Sequence, residues 1–184
     1  MSKENRTVER SGVTVECVQG DIVAQPDVDA VVNAANAQLQ IGGGVAGAIH
    51  RAAGPQLAEE CRPYAPIRPG EAVITGAGQL PNGHVIHTLG PVYGRDTPSD
   101  KLLAECYRNS LQRAEERGLA SIAFPAISTG AFGYPLEEAA QIAMETVAEG
   151  VDHLATVNRI RFVLLDRRAL ELHTEAMRRA FGDR

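Results

Sequence analysis

Two glycine-rich segments contain the residues whose types and spacing suit the binding of an anionic ligand. They span residues 33–47 and 126–134, and each brings glycines to the start of a predicted helix. Unpaired backbone N–H groups and the positive end of the helix dipole favour an anion at such a position. Glycine also allows the close backbone approach that a phosphate site needs. Together the two segments predict a site that holds a diphosphate.

The first segment also fits the dinucleotide-binding pattern G-x-G-x-x-G at residues 42–47. That pattern should begin directly after its strand, whereas eight residues separate Asn33 from Gly42. A nicotinamide-nucleotide oxidoreductase is therefore a disfavoured alternative. The sequence has neither G-K-[ST] nor G-x-S-x-G, which excludes a P-loop nucleotidase and an α/β-hydrolase nucleophile elbow.

The cysteines and histidines show no metal-ligand spacing. Cys17, Cys61 and Cys106 are odd in number, widely spaced and without a C-x-x-C pair, so buried free thiols are expected. His84 and His87 lie three residues apart in a predicted strand and should face opposite sides. We expect no metal and no other cofactor.

The elements that must position these segments alternate between strands and helices. Short β-branched runs predict six strands, at residues 13–18, 30–33, 72–75, 84–88, 121–125 and 160–165. Helices are predicted up to residue 53 and over residues 98–117, 135–150 and 168–181. Most strands are continuous apolar runs, which indicates a mostly parallel sheet covered on both faces, an α/β/α sandwich. The first strand alternates and is expected at an edge.

Length and charge restrict the organisation and the partners. The 184 residues predict a single domain over residues 12–184 after a flexible N-terminal segment, residues 1–11. A net charge of −5 argues against non-specific nucleic-acid binding. No apolar run could span a bilayer and the N-terminus is polar, so a cytoplasmic protein is expected. The absence of tryptophan and of an obvious apolar patch favours a monomer.

Several motifs resemble those of macrodomains, the ADP-ribose-binding modules. They are VVNAAN followed by GGGV at residues 31–36 and 42–45, PAISTGAFGYP at 125–135, GDI at 20–22, and VIHTLGP at 85–91. The similarity extends from about Val13 to Phe181 and lies between the bacterial hydrolase-type and the viral or archaeal-type signatures. It implies a mixed, mostly parallel six-stranded sheet between helices, in agreement with the elements above.

The resemblance also implies roles for individual residues. Asp21 would accept a hydrogen bond from the adenine amino group, Ile22 would line the same pocket, and Leu165 would contact adenine where the family often has an aromatic ring. Asn36 would bind the distal ribose hydroxyls, while Asn33 would contact the ligand or fix the loop. The diphosphate would lie between Gly43, Gly44, Val45 and Ala46 on one side and Ser128, Thr129, Gly130, Ala131 and Phe132 on the other, with Phe132 packed on the distal ribose.

The expected partners are ADP-ribose, its derivatives and mono-ADP-ribosylated proteins, with nucleic acid only as an ADP-ribosylated substrate. The implied activity is hydrolysis of mono-ADP-ribose from acidic protein side chains, of O-acetyl-ADP-ribose or of ADP-ribose 1''-phosphate. Asn36, Phe132, Gly44 and His50 are the candidate catalytic residues. The best-defined hydrolase subgroup carries aspartate where this sequence has Ala46. A non-catalytic ADP-ribose reader is therefore the alternative.

Overall fold

The computed structural model describes residues 6–182, in which seven strands form one mixed sheet. The strands are β1 (Thr7–Arg10), β2 (Val13–Gln19), β3 (Ala30–Ala34), β4 (Ala72–Gly76), β5 (His84–Thr88), β6 (Ser121–Phe124) and β7 (Arg159–Leu164). Their order is β1-β2-β7-β6-β3-β5-β4. The five central strands run parallel, and β1 and β4 are antiparallel to their neighbours. The mixed, mostly parallel sheet is thus confirmed, with seven strands instead of six.

The additional strand is β1, which lies within the segment expected to be flexible. That expectation is wrong for residues 7–10, which pair with β2 from Thr7 opposite Glu16 to Arg10 opposite Val13. Ser11 and Gly12 both have positive φ, 54° and 76°, as a two-residue hairpin turn requires. Because β1 covers β2, the first predicted strand is not at the edge of the sheet. Residues 1–5 lie outside the described residues.

Within residues 6–182, five α-helices cover the sheet: α1 (Gly44–Ala53), α2 (Gln56–Cys61), α3 (Ser99–Glu116), α4 (Leu136–Gly150) and α5 (Arg167–Phe181). The four predicted helices are present, and α2 is additional. Helix α3 begins after a turn in which the Ser99 hydroxyl donates to the Asp96 carbonyl. At the start of α5, Asp166 Oδ1 accepts a hydrogen bond from the Ala169 amide at 2.8 Å.

The sheet separates two apolar cores. Side chains of α3, α4 and α5 pack on one face around Tyr107, Phe124 and Phe162, whereas α1 and α2 pack on the other around Ile49 and Leu57. All three cysteines are buried and free, as the sequence predicted. Within residues 6–182 no helix combines the length and the apolar character needed to cross a bilayer. Because α1 and α4 lie on opposite faces of the sheet, the two glycine-rich segments that lead into them reach the same sheet edge from opposite layers.

Candidate functional site

A cleft of about 320 Å³ opens at the carboxyl ends of β3 and β6, which are neighbours in the sheet. Its walls are the segment from β3 to α1 and the segment from β6 to α4. The lining residues are Ala34, Ala35, Asn36, Gly42, Gly43, Gly44, Val45, Ala46, Gly90, Ala126, Ile127, Ser128, Gly130, Ala131 and Phe132. Nine of the predicted site residues thus meet in one cleft, at the place where open α/β sheets bind ligands.

A side-chain-closed turn shapes the wall that leads into α1. Asn36 Nδ2 donates to the Gln40 carbonyl at 2.8 Å, and Asn36 Oδ1 accepts from the Gln40 amide at 3.0 Å. A Cβ at Gly42 would lie 3.1 Å from Asn36 Nδ2, so a larger residue there would press on the Asn36 side chain. Helix α1 begins at Gly44, well beyond the end of β3. This arrangement differs from the direct strand-to-helix turn of a dinucleotide fingerprint.

Ser128 lies at the centre of the opposite wall, in a conformation unusual for serine. Its φ is 67°, and its buried Oγ has no hydrogen-bond partner among the described residues. The Ser128 carbonyl accepts from the Tyr134 amide at 2.9 Å, which closes the loop. A left-handed backbone and an unpartnered buried hydroxyl in a cleft are features of a site prepared for a ligand.

A buried hydroxyl beneath the wall holds this loop. The Tyr107 hydroxyl accepts from the Ile127 amide at 3.3 Å and donates to the Pro125 carbonyl at 3.4 Å. Gly90, after β5, faces Ser128 so closely that a Cβ at position 90 would overlap Ser128 Oγ. We assigned no role to Gly90 from the sequence, although it stands within the motif at residues 85–91.

Helix α1 places Ala46 and His50 one turn apart. Ala46 lines the cleft, whereas His50 is buried below it and does not. His50 Nε2 has no partner among the described residues, and burial lowers the pKa of this imidazole. His50 is therefore placed to support α1 and does not reach the cleft itself.

Asn33 is also buried beneath the cleft, in a network around His87. The Thr75 hydroxyl donates to the Gly76 carbonyl, so it accepts from His87 Nε2 at 2.9 Å. Nδ1 of His87 is then the acceptor, and Asn33 Nδ2 donates to it at 3.0 Å. Of the two roles weighed for Asn33, the geometry favours fixing the loop.

This network predicts a pH dependence of stability. Burial, followed by the charge of His50, lowers the pKa of His87 to about 3, and burial also lowers the pKa of His50. Below about pH 6.5 the unfolded chain binds protons that the folded chain excludes. The free energy of unfolding should therefore fall between pH 7 and pH 5, by up to about 1.4 kcal/mol per pH unit for each such histidine.

Urea unfolding at pH 7, 6 and 5 measures this slope, in a range above the usual pKa of carboxylates. His50→Gln should reduce the slope. Equal stability at pH 5 and pH 7 in the unmodified chain would contradict the prediction.

The residues predicted to contact adenine lie farther along the same sheet edge. Asp21 is exposed just beyond β2, Ile22 is 5% exposed, and Leu165 is 76% exposed just beyond β7. The Gly20 amide donates to the Leu164 carbonyl at 2.9 Å, which joins the ends of the two strands. None of the three lines the cleft. All three lie along the sheet edge beyond β6, where the far end of a long ligand bound in the cleft would lie.

Thr129 likewise does not line the cleft, and its hydroxyl donates to the Ala126 carbonyl at 2.8 Å. A larger cavity of about 480 Å³ lies between α3, α4 and residues 151–156. It contains none of the predicted site residues and no glycine-rich loop. The cleft, with its two glycine-rich loops and the unpartnered Ser128 hydroxyl, is the stronger candidate despite its smaller volume. Within residues 6–182 no cluster of three metal-ligating side chains occurs.

The fold and the cleft define an α/β/α protein with a cleft between two glycine-rich loops, an arrangement that suits an anionic ligand. Residues 32–143 match the model of the Macro domain family. The chain belongs to the macrodomain family, as its motifs predicted.

Relatives and solved structures agree with this membership. The chain is 49% identical to the macro domain-containing protein SCO6450 of Streptomyces coelicolor, over 88% of this chain and 95% of the relative. It is 48% identical to the O-acetyl-ADP-ribose deacetylase of Citrobacter rodentium, over 86% and 92%. The solved Oceanobacillus iheyensis macrodomain with ADP superposes with a TM-score of 0.89, at 39% identity over 94% of each chain.

Proposed function

We propose that this chain binds ADP-ribose in the cleft and hydrolyses ADP-ribose derivatives. The substrates are O-acetyl-ADP-ribose, mono-ADP-ribose on acidic protein side chains, and ADP-ribose 1''-phosphate. The observation that carries the proposal is the pair of facing loops, with the buried Ser128 hydroxyl unpartnered between them. Relatives at 48–50% identity that are named O-acetyl-ADP-ribose deacetylases support the same activity.

The cleft suggests one orientation for the ligand. The diphosphate lies between the start of α1 and the Ser128 loop, where amides and the helix dipole favour negative charge. The distal ribose lies between Asn36 and Phe132, which both line the cleft. Adenine lies beyond β6, against Ile22 and Leu165, and Asp21 accepts from its amino group. This orientation accounts for the predicted site residues that line the cleft and for those that do not.

Hydrolysis in this cleft would depend on the positioning of the water and the substrate, without a side-chain base. The lining residues include no acidic side chain and no histidine. For a carboxylate-linked ADP-ribose, water attacks the anomeric carbon, the bond to the carboxylate oxygen breaks with its electron pair, and the proton of water passes to solvent. Loop amides and the ligand phosphate would hold the water, while Asn36 and Phe132 fix the ribose.

The second candidate function is a reader that binds ADP-ribose without turnover. The specific observation that favours it is Ala46, because alanine can neither orient nor deprotonate water. Binding residues are the same for both functions, so only turnover distinguishes them.

We also propose that residues 12–184, with β1 added to their sheet, work as one monomeric domain in the cytoplasm. Three buried free thiols are typical of a reducing compartment. Most large apolar side chains are packed in the two cores.

The test is release of free ADP-ribose from a protein that is mono-ADP-ribosylated on glutamate or aspartate, together with deacetylation of O-acetyl-ADP-ribose. The chain is used in excess so that a slow single turnover is visible. We expect release above the spontaneous rate and a loss of about tenfold or more in Asn36→Ala, because the ribose loses a positioned partner. The control is Asn109→Ala, which removes a comparable bond outside the cleft. In that bond, Asn109 Nδ2 donates to the Gly70 carbonyl at 2.8 Å. A chain that binds ADP-ribose but releases none from either substrate is a reader.

A further inference from the structure

A charged cluster around the buried side chain of Arg161 lies behind the segment that connects β2 to β3, residues 20–29. The Arg161 side chain of β7 is 7% exposed and forms two hydrogen bonds with Asp27, at 2.7 and 2.6 Å. Its Nε donates to Glu16 Oε1 at 2.8 Å. The Arg161 guanidinium holds the pKa of Asp27 well below its usual range. The guanidinium is thus fixed in place by two carboxylates.

The cluster extends through Gln25 to the backbone of Asp21. Arg161 Nη1 donates to Gln25 Oε1 at 2.8 Å, and Gln25 Nε2 donates to the Asp21 carbonyl at 2.9 Å. Arginine can only donate, so the oxygen of the Gln25 amide must face it. Its nitrogen must then face the Asp21 carbonyl. The amide orientation is therefore determined by the charge of Arg161.

Other bonds hold the rest of the segment independently of this amide. Asn82 Nδ2 donates to the carbonyls of Gln25 and Val28 at 2.7 and 2.9 Å. Asp29 Oδ2 accepts from the Ala120 amide at 2.7 Å. These bonds hold one end of the segment. At its other end the Gln25 side chain shares Asp21 with two local bonds, in which the Asp21 carbonyl accepts from the Ala24 amide at 3.0 Å and Asp21 Oδ1 accepts from the Val23 amide at 3.1 Å.

We propose that Gln25, oriented by Arg161, is a positioning residue for adenine recognition. It holds the backbone of Asp21 so that the carboxylate faces the amino group at position 6 of the purine. The inference rests on the proposed function, because it presupposes that ADP-ribose occupies the cleft. It adds that the nucleobase specificity of the site depends on a buried amide that does not touch the ligand.

Gln25→Glu tests the proposal with little change in shape. The variant keeps an oxygen for Arg161 but places a second oxygen against the Asp21 carbonyl in place of a donor. Gln25→Met, which loses both bonds, shows whether the introduced charge itself matters. Asn109→Ala serves as the matched control, since it removes a side-chain-to-carbonyl bond outside residues 20–29.

The readout is the ratio of two dissociation constants, for ADP-ribose and for its inosine analogue, in which oxygen replaces the 6-amino group. The unmodified chain should prefer ADP-ribose by about tenfold or more, because the analogue leaves the carboxylate facing an oxygen. In both Gln25 variants the ratio should fall below about threefold, with the affinity for the analogue nearly unchanged. Asn109→Ala should keep the full ratio.

Each other outcome contradicts either the inference or the proposed function. Equal weakening of both ligands in the Gln25 variants means that Gln25 is only structural, and the inference is wrong. If the unmodified chain binds both ligands equally, the inference is wrong while the proposed function stands. If it binds neither, the proposed function itself fails and the inference with it.

Discussion

Ala46→Asp should raise the rate of ADP-ribose release by roughly 10²- to 10⁴-fold, the usual contribution of a positioned general base. Ala46 is 4% exposed, lines the cleft and lies in the first turn of α1. A carboxylate there would be stabilised by the positive end of the helix dipole. In the proposed orientation it could orient and deprotonate the attacking water.

The measurement is single-turnover release by Ala46→Asp and by Ala46→Asn, which has the same shape but is not a base. We expect the large gain for aspartate only. A folded Ala46→Asp chain that binds ADP-ribose and gains no rate would show that the geometry of the cleft limits turnover, whereas equal gains in both variants would indicate a steric or polar effect.

Gly90→Ala should weaken ADP-ribose binding about 100-fold, because it forces the Ser128 loop out of place. The new Cβ would overlap Ser128 Oγ and lie 2.7 Å from Ile127 Cγ2. Ser128 already has a positive φ, and the loop is bonded below to Tyr107, so it cannot shift without losing those bonds. Overpacking of this kind commonly costs about 1 to 3 kcal/mol, and here the displaced residue itself lines the site.

Calorimetric titration with ADP-ribose checks this expectation. Gly83→Ala is the matched control, because its Cβ would meet only the Asp29 carbonyl, at 3.8 Å. Gly90→Ala combined with Ser128→Gly should regain part of the affinity, since glycine removes the overlapping hydroxyl. Wild-type affinity in Gly90→Ala would show that the loop adapts freely, contrary to the proposal.

The sequence predicted the central strands and the main helices because their signals are local. Apolar runs mark the parallel strands, and helical apolar periodicity marks residues 98–117 and 135–150. Strand β1 was missed because residues 7–10 are short, polar and half exposed. Its one local signal was the Ser11-Gly12 turn before an alternating strand.

The sequence predicted the features of the cleft that depend on the backbone, but it did not predict how deeply individual side chains are buried. Glycines indicate where the backbone can approach a ligand closely, so the two segments that form the walls of the cleft were predicted. Periodicity cannot tell that His50 lies below the cleft while Ala46 lines it, because both occupy one face of α1. Asn33 pairs with His87 across two strands, 54 positions apart, and no local pattern contains that contact.

Because all three thiols are buried, the protein can be labelled at a single introduced cysteine. Desolvation raises the pKa of Cys17 to about 12 and the pKa values of Cys61 and Cys106 to about 11, so none of these thiols is a reactive thiolate near neutral pH. A maleimide reagent would find no accessible sulfur in the unmodified chain. Leu165→Cys, at a side chain 76% exposed beside the adenine end of the site, would place a single fluorophore where it senses ligand occupancy without any cysteine having to be removed first.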